Sequence, residues 1–179
     1  MPSLPASLRR QLAAIAKATQ KLSVPRASKT PNLKKARNIF LIRSAAPEMF
    51  KKCVRELKRL APKATLHIVS HERDRELIKT VCAPRFKFYP YTAGGNYSVE
   101  SLAPLMPKLN AARIDTFIML ANNVYGYPHI SEILSKLGAR ELFLFNINER
   151  WYVTSRDELD FKNAAANVYL GICKLLWNS

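Results

Sequence analysis

Arg43, Ser44 and Glu48 stand close together just after a short apolar run, Ile39 to Ile42. A guanidinium and a hydroxyl ahead of a helix can hold an anionic group against the first amide N–H groups of that helix. A carboxylate at the same place can take a proton from an acceptor hydroxyl, or serve only as the acid that a helix N-terminus favours. Glu48 is therefore the candidate catalytic residue. Arg43 and Ser44 are candidate ligand contacts, and so is His71, a phosphate contact or proton carrier after the second apolar run. Asn96 belongs to the flexible loop Ala93-Gly94-Gly95-Asn96. Asn122, Asn123 and Tyr125, with Tyr127, surround Gly126. Their amides, hydroxyls and rings suit sugar hydroxyls, although the same residue types are good turn formers.

Several other chemistries lose their support at this level. His67 and His71 are four apart, a spacing that places two metal ligands on one helix face. Here His67 sits between Leu66 and Ile68 in an apparent strand, so it reads as a hydrogen-bonded histidine, and no metal is expected. His129 falls in the first turn of an expected helix. The turn after the first run reads Arg-Ser-Ala-Ala-Pro-Glu, without the glycines that let a dinucleotide pyrophosphate approach the backbone. Neither a P-loop nor a Gly-x-Ser-x-Gly elbow occurs, and no cofactor is expected. Arg85-Phe86-Lys87-Phe88-Tyr89 interleaves bases with rings as an RNA-stacking strand does. In a sheet covered by helices those rings would be buried.

The elements that must position these residues follow a repeating rhythm. Short apolar runs at NIFLIR, TLHIVSH, RFKFYPY, DTFIMLAN and ELFLFNIN each end in polar residues, and helix-period segments separate them. The pattern predicts an α/β fold: a Rossmann-like parallel sheet of about five or six strands with helices on both faces. The first helix starts at Pro47, carries Met49, Phe50, Cys53, Val54, Leu57 and Leu60 on one side, and stops before Pro62. Glu72 to Val81 is a shorter helix with a mixed-charge face. The third strand, Phe86 to Tyr89, is crowded by Pro84 and Pro90. Ser98 is placed to cap a helix that Pro104 and Pro107 bend or delay. A helix from Pro128 to Leu137 stops at Gly138. Trp151 to Val153 is a short edge strand, and a last helix carries Phe161, Ala165, Val168, Ile172, Leu175 and Leu176. Ligands of such sheets bind at the carboxyl ends of the strands, near the reversal of strand order. That rule gathers the candidates above onto one edge.

Charge sets the second theme. The chain has 29 Lys+Arg against 13 Asp+Glu, a net charge of +16 over 179 residues. Such an excess attracts anions, or simply maintains solubility. Residues 1–37 contain no acid, and Leu4, Leu8, Leu12, Ile15 and Leu22 recur at helical spacing. Pro25 and Pro31 separate this basic amphipathic helix and linker from the Rossmann-like domain of residues 38–179. It can dock on the body, lie on an anionic membrane surface, or act as a nucleic-acid-binding arm. Cys53, Cys82 and Cys173 form no CxxC pair, so neither zinc nor a disulfide framework is indicated. A cytoplasmic setting is expected, with attachment to the inner face of a membrane left open. No apolar run approaches the ~20 residues that cross a bilayer.

A family likeness joins these observations. IFLIR leads into a helix ending in LAP and then into KATLHIVS; further on come LMPKLNAARIDTFIMLAN and ISEILSKLGARELFLFN. From Asn38 to about Tyr152 this resembles the N-terminal half of a GT-B glycosyltransferase of the heptosyltransferase type. In that family a strand ending in Ile-Arg also leads into a helix, and a Gly-Ala-Arg segment enters a later strand. The resemblance implies an acceptor-binding domain for a sugar or lipid-linked acceptor, completed by a second, donor-binding domain or partner chain. The family's Gly-Asp pair after the first strand is replaced here by Pro47-Glu48, so only Glu48 can take the place of that acid. The competing reading is a non-enzymatic basic module that binds polyanions, either nucleic acid or an acidic membrane surface.

Overall fold

The computed structural model describes residues 5–23, 30–93, 97–121, 130–146, 148–154, 168 and 171–173. Six strands form one sheet: β1 (Asn38–Ile42), β2 (Thr65–His71), β3 (Phe86–Tyr91), β4 (Thr116–Ala121), β5 (Glu141–Asn146) and β6 (Trp151–Thr154). Their order is β3-β2-β1-β4-β5-β6. The first five are parallel, and β6 returns antiparallel along β5. The helices are α1 (Ala6–Ser23), α2 (Pro47–Leu60), α3 (Arg75–Cys82), α4 (Val99–Leu102), α5 (Met106–Ala111) and α6 (Ile130–Leu137). This is the α/β, Rossmann-like arrangement that the alternating runs predict. Among the described residues no helix is long and apolar enough to cross a membrane.

Two apolar layers explain why the sheet is covered on both faces. Ile39, Leu41, Leu66, Ile68, Ile118, Leu120, Phe143 and Phe145 share one layer with the buried stripes of α2 and α3. Phe40, Ile42, Val69, Phe117, Met119, Leu142 and Leu144 share the other with residues of α4, α5 and α6. Alternate residues of each strand thus feed opposite layers, which is why β1 and β4 read as unbroken apolar runs. The stripe of α2 is Met49, Phe50, Cys53, Val54 and Leu57, all buried. Each large apolar side chain in such a place contributes about 1.5–3 kcal/mol.

Local departures from the expected elements have local causes. β2 runs on through His71, so His71 ends a strand instead of opening a loop. A 3-10 turn, Glu72–Asp74, then precedes α3. Pro90 lies within β3, which is tolerated because β3 is an edge strand. Ser98 accepts from the Ser101 amide, and Ser101 returns a bond to Ser98, a reciprocal cap for α4. Pro104 and Pro107 each fall in a first turn, and they split this segment into α4, a 3-10 turn at Ala103–Leu105, and α5. Gly138 takes φ +63° at the end of α6, a conformation that costs glycine little. Of the expected C-terminal helix, Val168 and residues 171–173 are described, and they are helical.

Candidate functional site

Strand order reverses between β1 and β4, so the carboxyl end of β1 lies at the crevice where such sheets hold ligands. The chain is fixed there by several bonds. The Arg43 amide donates to Val69 O at 3.0 Å, extending the β1–β2 pairing by one residue. The Ser44 amide turns back to Ile42 O at 2.9 Å. The Ser44 hydroxyl reaches across the reversal to Leu120 O on β4 at 3.4 Å. From β3's side, the Tyr97 hydroxyl donates to Arg43 O at 3.1 Å.

These bonds aim the Arg43 side chain toward β2. Its Nη1 lies 2.7 Å from Asp74 Oδ2, and the side chains are only 12% and 11% exposed. Ser70 Oγ donates to the same carboxylate oxygen at 2.6 Å. A charge pair this shielded from water needs its remaining donors satisfied. Arg43 Nε is nevertheless buried with no hydrogen-bond partner. The guanidinium is therefore held in one orientation by Asp74, with its Nε–H shut off from solvent.

An aromatic group stands beside it. His71 meets the ring of Tyr91 edge-on at 5.3 Å between centroids and that of Tyr97 at 6.2 Å. Tyr91 and Tyr97 lie 4.6 Å apart, and both are buried. His71 is half-buried, so it is the member of the three that faces the edge. Register explains the contact, since His71 on β2 pairs with Tyr91 on β3.

Glu48 stands differently. Its side chain is 75% exposed in the first turn of α2, and Oε1 lies 2.7 Å from Lys51 Nζ. The hydrogen bond from Lys51 holds its carboxyl below the usual range. That shift favours the ionised form and moves away from the near-neutral value that suits a general base. Before this helix Ala46 offers no side-chain cap, and Pro47 has no amide hydrogen to satisfy. Asn96, Asn122, Asn123 and Tyr125 lie outside the described residues, as do Tyr127 and His129.

The structure thus brings together Arg43, Ser44 and His71 from the sequence reading, and it adds Asp74 and Tyr97. Asp74 was hidden because Ser-His-Glu-Arg-Asp reads as the charged start of a helix. Its position four residues after Ser70 was the available signal, since a 3-10 turn folds it back onto the strand end.

Two other groups are structural. His67 is 1% exposed on β2. Its Nε2 lies 3.2 Å from Asn38 Oδ1, and its Nδ1 lies 2.8 Å from the Tyr89 hydroxyl. A carboxamide oxygen only accepts, so Nε2 carries the proton and Nδ1 accepts from Tyr89. Burial and nearby Lys87 lower the His67 pKa to about 4, so the ring is neutral. Cys53 and Cys82 are buried in the α2–α3 layer. Burial raises the Cys53 thiol and pushes Cys82 up to about 12, which leaves little reactive thiolate. Among the described residues no group of three or more His, Cys, Asp or Glu is placed to hold a metal. The chain matches no family model, no curated protein and no solved structure.

Proposed function

We propose that this chain is a GT-B-like, acceptor-side module that binds an anionic, hydroxyl-rich acceptor at the carboxyl edge of β1, β2 and β3. The observation that carries the reading is Arg43. Its guanidinium is buried at the strand-order reversal, oriented by Asp74, and retains an unpartnered Nε donor. A ligand phosphate or carboxylate that displaces the side chains covering that donor forms a charge-assisted bond of the strong kind. Ser44 supplies a hydroxyl next to it, and His71 a ring for ligand contact or proton transfer. The likeness of IFLIR and its following helix to the heptosyltransferase type supports a sugar as the ligand class. Transfer of a glycosyl group then belongs to the assembly with a donor-binding domain or partner chain, where the Glu48 carboxylate is the base at this edge once its pairing with Lys51 is broken.

The test is calorimetric titration with sugar phosphates, free sugars and lipid-linked sugar phosphates. Saturable binding of an anion-bearing sugar is expected, with loss in an Arg43→Ala/Asp74→Ala double variant that leaves no orphaned charge. Equal binding by the double variant, or none of these probes bound by the parent chain, would refute the proposal. Glu48→Gln should spare binding and impair transfer in the complete assembly.

A second reading rests on α1. Residues 1–37 hold no acid, and Leu8 and Ile15 are exposed beside Arg9 and Arg10. This favours polyanion binding through the N-terminal segment. Deleting residues 1–37 should then remove most of the salt-sensitive binding to anionic vesicles or oligonucleotides.

A further inference from the structure

The two edges of the sheet carry charge in opposite ways. Because β1 to β5 are parallel, their starts lie along one edge. An exposed cation precedes each start: Arg37 before β1, Lys63 before β2, Arg85 before β3, Arg113 before β4 and Arg140 before β5. Contacts confirm that they adjoin one another. Arg85 Nη1 reaches Lys63 O at 3.5 Å. The amides of Arg37 and Arg140 donate to Asp115, at Oδ2 and at the backbone O. The last turns of α2, α3, α5 and α6 return to this edge and add Lys58, Lys79, Lys108 and Lys136.

Little opposes this charge. Among the described residues, none of the five strand-start cations forms an ion pair; on the carboxyl half Arg43, Lys51, Lys52 and Arg75 are paired, and Arg73 and Arg150 are not. Asp115 is occupied by the amides of Arg37 and Asn38 and by the Thr116 hydroxyl. Glu141 is exposed, and Glu56 is spent on Arg59. A hollow of about 550 Å³ opens there, lined by Lys35, Arg37 and Arg140 against Asp115 and Glu141, so cations outnumber acids in it. Helix dipoles account for the lysines at helix ends, but not for a cation before every parallel strand.

We propose that this amino edge is the face by which the protein rests on an anionic lipid surface, with α1 lying in the lipid interface beside it. Charge complementarity points to a polyanion, and α1 decides which one. Leu8 is 38% and Ile15 50% exposed on a helix that also carries Arg9 and Arg10. Exposed aliphatic side chains gain nothing along a sugar-phosphate strand, but they bury between lipid headgroups. The linker from α1 also enters the body at this edge, through Lys34, Lys35 and Arg37. The carboxyl edge then faces away from the lipid, about 20 Å off, given roughly 3.3 Å per strand residue. The inference does not depend on the ligand proposed for that edge.

The test is co-sedimentation of the full chain with phosphatidylcholine vesicles, with and without phosphatidylserine. Binding is expected only with phosphatidylserine and should fall with added salt. Arg37→Gln/Arg113→Gln/Arg140→Gln should weaken it on the order of a hundredfold, at roughly 1 kcal/mol for each cation near the surface. Lys35→Gln/Lys63→Gln/Arg85→Gln is a second triple on the same edge and should lose as much. Lys52→Gln/Arg73→Gln/Arg150→Gln removes equal charge from the far edge, beyond a Debye length of about 8 Å, and should bind within a few-fold of the parent. Equal loss in all three triples would overturn the proposal. So would equal binding to neutral vesicles, or displacement from vesicles by an oligonucleotide at equal charge concentration.

Discussion

Replacing His67 and Tyr89 together by phenylalanine should flatten the dependence of stability on pH between 7 and 5. His67 is neutral in the sheet, with Nε2–H given to Asn38 and Nδ1 accepting from Tyr89. Its pKa is lowered from 6.5 to about 4, chiefly by burial. The unfolded chain therefore binds a proton that the folded chain refuses throughout that window. For a lowered histidine the stabilisation is full above the unfolded pKa and is lost as pH falls toward the folded one. At 1.36 kcal/mol per pKa unit the loss is about 2 kcal/mol from pH 7 to pH 5 and about 3 kcal/mol by pH 4. Carboxylates contribute mainly below this range, so the window belongs largely to His67. The double variant leaves no buried hydroxyl without a partner at the Tyr89 end, a replacement that is often near neutral. Urea unfolding at closely spaced pH values measures the slope. A parent profile that is level from pH 7 to pH 5, or a variant that keeps the parent's slope, would refute the reasoning.

Three further outcomes follow from the packing. Asp74→Ala leaves the Arg43 guanidinium shielded and unpaired, so it should lower the unfolding free energy by about 3 kcal/mol; a change under a quarter of that would mean the pair is effectively solvated. Phe50→Ala empties a fully buried position in the α2 layer and should cost about 3–5 kcal/mol, read from the denaturant midpoint. Thiol labelling of the folded protein at mildly alkaline pH should reach half-buried Cys173 well before Cys53 or Cys82, and equal rates at the three would contradict the burial described.

Much of the fold was legible because it rests on local chemistry. Pro47, Pro62 and Gly138 bound helices by backbone rules alone, and each apolar run became a parallel strand. Ser98 was readable as a cap for the same reason. What failed to show was tertiary. His71 joined β2 because its backbone pairs with Tyr91 on a neighbouring strand, which periodicity over a few residues does not reveal. Asp74 and Tyr97 reach Arg43 from 31 and 54 residues away. No local pattern records such a contact. Glu48 illustrates the reverse. Its place in the chain suggests a catalytic acid, while its exposure and Lys51 partner are also those of an ordinary surface acid at a helix start. The cations before each strand were visible one by one in the sequence, and only the parallel register places them on one edge.

The central claim is that Arg43 keeps a donor for an anionic ligand. The most direct measurement is a proton–nitrogen correlation spectrum of the arginine Nε–H groups during titration with a sugar phosphate, assigned through Arg43→Lys. The account predicts that the Arg43 Nε–H signal moves and saturates, together with the His71 ring, while those of Arg37 and Arg140 stay in place. Movement of the amino-edge arginines with a stationary Arg43 signal would contradict it.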